Sequence, residues 1–95
     1  MQAFAKDAQR IIDCIGAIGE KLEDMKVSRK EFDSIMKSID PKAFDSVREN
    51  PDTEDGIIKI MNKLIFRGDW TAQLKWTEKY GTPKDAEAVR KGMRI

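Results

Sequence analysis

The sequence predicts an all-α fold: a compact helical bundle with one long N-terminal helix followed by four to five shorter ones. Three observations predict it. Apolar residues recur at spacings of three and four along most of the chain. Ser, Thr or Asp precedes most of these periodic runs, and Gly or Pro separates several of them. No stretch alternates with period two over a useful length, so no β-sheet is expected. With 95 residues, a single helical domain over 1–95 is expected.

The first segment has the clearest pattern. Phe4, Ala8, Ile11, Ile15, Ile18, Leu22 and Met25 follow alternating steps of four and three, a 3.5-residue repeat that draws one apolar seam along the helix. Such a helix would run for about 33 Å at 1.5 Å per residue. Ile12 widens the seam, and Gly16 and Gly19 would let another backbone approach closely.

Ser28-Arg29-Lys30-Glu31 reads as a capping box opening the second helix, with Val27 and Phe32 at the positions of a hydrophobic staple. Its apolar face is Phe32, Ile35, Met36 and Ile39. Asp40-Pro41 starts a short helix with Phe44 and Val47 inward, which Asn50-Pro51 ends. The obvious loop lies around Glu49 to Asp55, where Asp52 or Thr53 caps the next helix. That helix presents Ile57, Ile60, Met61, Leu64 and Ile65, and Gly68 is its expected stop. Asp69 then caps a helix bearing Trp70, Leu74, Trp76 and Tyr80, which Gly81 stops. Thr82-Pro83 opens the last helix, with Ala86, Val89 and Met93 on one side.

Composition narrows the function classes. Apolar residues are 40% and charged residues 37%, as in soluble helical proteins, and a net charge of +1 gives no overall field toward nucleic acid or anionic lipid. The single cysteine, Cys14, allows no internal disulfide and suits a reducing compartment. The first ten residues mix acids and bases, unlike a signal peptide, and no apolar run approaches the roughly 20 residues that span a bilayer. A cytoplasmic protein without membrane contact is expected.

Chemistry is hard to assemble from these residues. No histidine is present, which removes the usual neutral-pH acid–base group and the commonest metal ligand. Cys14 sits beside the apolar seam with no histidine to activate it, so a packed thiol is the better reading. The acids Asp40, Asp45, Glu49, Asp52, Glu54 and Asp55 do not match a calcium-loop register, because Gly56 and the required Glu are misplaced. Helix-start capping explains Asp52, Glu54 and Asp55 better. Arg67-Gly68-Asp69 spells an adhesion tripeptide, but helix stop and N-cap account for two of its letters. No phosphate loop or nucleophile motif occurs. The expectation is no enzyme, no metal and no cofactor.

From Phe66 onward the bases Arg67, Lys75, Lys79, Lys84, Arg90, Lys91 and Arg94 outnumber the acids Asp69, Glu78, Asp85 and Glu87. Trp70, Trp76 and Tyr80 are interleaved with them. Basic and aromatic residues together suit nucleic acid or an acidic protein partner. The competing reading puts the aromatics in the core and the lysines in solvent.

Two partial resemblances fall in this region. Gly68-Asp69-Trp70, then Leu74, Trp76 and Lys79, then Pro83 and Ala86-Glu87-Ala88, resembles one tetratricopeptide-type helical hairpin. The run GDWTAQLKWTEKYG also resembles a helical segment in small terminase subunits of tailed phages, which implies ring assembly and DNA binding. Each covers less than a third of the chain, and neither is used to place it in a family.

The preferred expectation is therefore a non-enzymatic protein-interaction module: an adaptor, regulator or inhibitor, phage or mobile-element origin included, that self-associates through its first helix. Self-association falls to Ile11, Ile15, Ile18 and Leu22, and partner binding to Arg67, Trp70, Trp76, Lys79 and Tyr80. The alternative is a nucleic-acid-binding accessory protein using Lys75, Lys79, Lys84, Arg90, Lys91 and Arg94. The partner protein is not identified by any of these residues.

Overall fold

A computed structural model describes the backbone of residues 2–94 and the side chains from Ala8 to Arg94. Among the described residues there are five α-helices, one 3-10 helix and no strand. In order these are α1 (Gln2–Asp24), α2 (Arg29–Ser38), the 3-10 helix (Pro41–Ser46), α3 (Glu54–Leu64), α4 (Trp70–Tyr80) and α5 (Pro83–Met93). The expected helical bundle with a long first helix is what forms.

Local chemistry sets the helix ends. Ser28 accepts from the backbone N–H of Glu31, Asp40 from Lys42, Thr53 from Gly56 and Asp69 from Ala72. Each bond satisfies one of the donors that a helix start leaves unpaired. The full reciprocal capping box occurs at Thr82 and Asp85. At the expected box on α2, only the Ser28 half is made among the described residues.

α1 ends in a left-handed turn. Lys26 adopts a φ of 57°, its N–H donates to Glu23 O at 2.9 Å, and Val27 N–H donates to Leu22 O at 3.2 Å. That pair of bonds is the Schellman arrangement, here with Lys where Gly is usual. α3 stops at Leu64, four residues before Gly68, because Phe66 N–H reaches back to Met61 O and unwinds the last turn. Arg67 and Gly68 then take φ values of 51° and 88° to reverse the chain into Asp69.

The core draws on α1, α2, the 3-10 helix and α3. Cys14, Ile18, Leu22, Ile35, Phe44, Val47, Ile57, Ile60, Met61 and Leu64 are buried together. Val27 and Phe32 pack against this cluster, as a staple would require, and so does Trp76. α4 and α5 form an antiparallel hairpin that lays Ala86 and Val89 inside. Gly56 is needed where α3 begins: a Cβ there would lie 1.8 Å from the carbonyl oxygen of Asn50.

α4 buries residues that its sequence pattern does not single out. Gln73 and Thr77 are its buried residues, while Trp70, Leu74, Trp76 and Tyr80 are half-buried. Trp70, Gln73, Thr77 and Tyr80 follow steps of three and four, so the inward stripe has large aromatics at its ends and small or polar residues between. Inside, Gln73 Nε2 donates to Ile58 O at 3.2 Å, while its buried Oε1 has no hydrogen-bond partner among the described residues.

Candidate interaction surface

α1 carries two apolar seams rather than one. The inner seam is Ile11, Cys14, Ile18, Leu22 and Met25, with Cys14, Ile18 and Leu22 fully enclosed by the chain's own residues. Ile11 is half-buried and packs against the same cluster. The outer seam is Ala8, Ile12, Ile15 and Gly19, in steps of four, three and four along the neighbouring flank. Ile12 is 60% exposed and Ile15 37% exposed. Of the described large hydrophobic side chains, only Met93 joins them in that condition.

Neighbours define how much of the outer seam is open. At Gly19 an added Cβ would meet Phe32 Cζ at 3.7 Å, so α2 covers the seam's C-terminal end. At Gly16 it would meet nothing within 4 Å. The open part of the seam is therefore Ala8, Ile12 and Ile15, with the uncovered Gly16 beside them. Of the expected self-association residues, Ile18 and Leu22 are spent in the core, Ile11 is partly so, and Ile15 is available. Phe4, at the start of the expected seam, lies outside the described side chains.

The C-terminal aromatics are packed together rather than free. Trp70 lies over Gly92, where an added Cβ would come within 2.5 Å of its ring. Trp76 meets Phe66 edge-on at 5.7 Å and Tyr80 at 5.0 Å between ring centroids. Lys79 Nζ sits 5.1 Å from the Tyr80 ring centre, and Arg67 is exposed on the left-handed turn. All five expected partner-binding residues thus reach the surface to some degree, but Trp70 and Trp76 already serve the fold.

The basic residues are dispersed among acids. Arg90 pairs with both Glu78 and Glu87 at 3.6 Å. Lys84 and Lys91 line one hollow with Glu54, Asp55 and Glu87. Lys75 and Lys79 are exposed on α4, and Arg94 follows α5.

Two carboxylates are built into the fold. Asp85 Oδ1 accepts from Lys21 Nζ at 2.6 Å, with the two side chains 9% and 15% exposed. Burial alone would raise the Asp85 pKa, but the Lys21 ammonium and the bonds from Thr82 together hold it below the ordinary value. Glu49 likewise titrates low: burial opposes ionisation, and Lys63, with the backbone N–H groups there, overcomes it. Cys14 is buried and its thiol is pushed up, chiefly by desolvation, so it is held as a protonated packing group.

Among the described residues, no group of three or more His, Cys, Asp or Glu side chains is placed to hold a metal ion. No described helix is long and apolar enough to cross a membrane. No family model matches the chain, and no curated protein or solved structure matches it either.

Proposed function

We propose that this protein is a non-enzymatic interaction module that pairs with a second copy of itself through the open flank of α1. The observation that carries this reading is the exposure of Ile12 and Ile15, one turn apart, on a helix whose other apolar side packs Cys14, Ile18 and Leu22 into the core. Covering the 60% of Ile12 and 37% of Ile15 still exposed removes apolar surface from water, worth part of the roughly 1.5–3 kcal/mol that full burial of such a side chain brings. Gly16 leaves room beside them for a second helix backbone. A small adaptor, regulator or inhibitor acting in the cytoplasm needs nothing more than such a surface.

So small a patch supports at most a weak, concentration-dependent dimer. Size-exclusion chromatography with light scattering, recording absorbance at 260 and 280 nm, tests the reading. A multimer free of nucleic acid and insensitive to salt supports it. A monomer that carries nucleic acid only at low salt supports the alternative of phosphate binding by the C-terminal bases, because that attraction is lost as salt rises. A bare monomer at every concentration rejects self-association.

A further inference from the structure

We draw no further inference here: the strongest candidate, the hollow between α3 and α5 lined by Asp55, Ile58, Lys59, Ala88, Lys91 and Gly92, is a groove of mixed charge, and nothing in the structure shows what covers it.

Discussion

Lys21 on α1 places its ammonium 2.6 Å from Oδ1 of Asp85 on α5, while Asp85 Oδ2 accepts from the backbone N–H and hydroxyl of Thr82. One carboxylate therefore caps its own helix and ties the first helix to the last. Glu54 Oε1 is a looser third member, 3.9 Å from the same ammonium.

Replacing Asp85 tests that double role. Asp85→Ala removes both the cap and the ion partner, and leaves Lys21 with little solvent around it. The expected cost is about 3 kcal/mol, in the range for breaking a mostly buried pair. Urea unfolding checks it: a midpoint shift within error of wild type would show that the pair contributes nothing.

Acid should expose the same linkage. Asp85 and Glu49 titrate lower in the folded chain than their ordinary values, so the unfolded chain takes up their protons first. Their contribution is complete above the unfolded carboxylate values, about 3.9 for Asp and 4.3 for Glu, and is lost as pH falls through the folded values. Thermal unfolding at a series of pH values should therefore show an acid limb that is shallower in Asp85→Asn. An identical slope in the variant would remove Asp85 from the account.

Trp70 and Gly92 form a second contact with a sharp prediction. Gly92→Ala puts a methyl 2.5 Å from the indole carbons Cη2 and Cζ3, so the ring must move. Helix propensity alone would favour Ala by about 1 kcal/mol. Overpacking costs about 1–3 kcal/mol and should win. The variant is expected to melt lower with shifted tryptophan emission. Replacing Trp70 by Leu in the same chain should recover most of the loss, as a double-mutant cycle would show.

Much of the fold was legible because it was written locally. Asp40-Pro41, Asp69 and Thr82-Pro83 each start the helix that their chemistry requires, and Phe44 and Val47 point inward as their spacing demands. What the sequence could not show was how the residues of α1 divide between two flanks. Ile11, Ile12, Ile15 and Ile18 all satisfy a helical apolar pattern, and only the positions of α2 and α3 decide which of them are covered. The polar residues Gln73 and Thr77 were missed for a related reason. Gln73 Nε2 meets the carbonyl of Ile58 on another helix, a contact that no local pattern announces. Lys21 and Asp85 are 64 residues apart and form no recognisable motif together.

The left-handed turn after α1 offers a stabilising change. Lys26 is exposed and holds a φ of 57°, a conformation that costs a side-chain-bearing residue roughly 1–2 kcal/mol. Lys26→Gly relieves that strain, offset in part by the greater freedom of glycine in the unfolded chain. A net gain of about 0.5–1 kcal/mol in chemical denaturation is expected. A loss would mean that the Lys26 side chain supports the turn.

The most direct test of the central claim is the mass of Ile12→Lys beside wild type, measured by light scattering across a wide concentration range. Ile12 is the most exposed large hydrophobic residue of the described chain, so the variant should keep wild-type helicity by circular dichroism. A wild-type dimer that becomes a monomer in Ile12→Lys is the predicted result. A dimer that survives the substitution with unchanged affinity, or a wild type that stays monomeric throughout, would contradict self-association through α1.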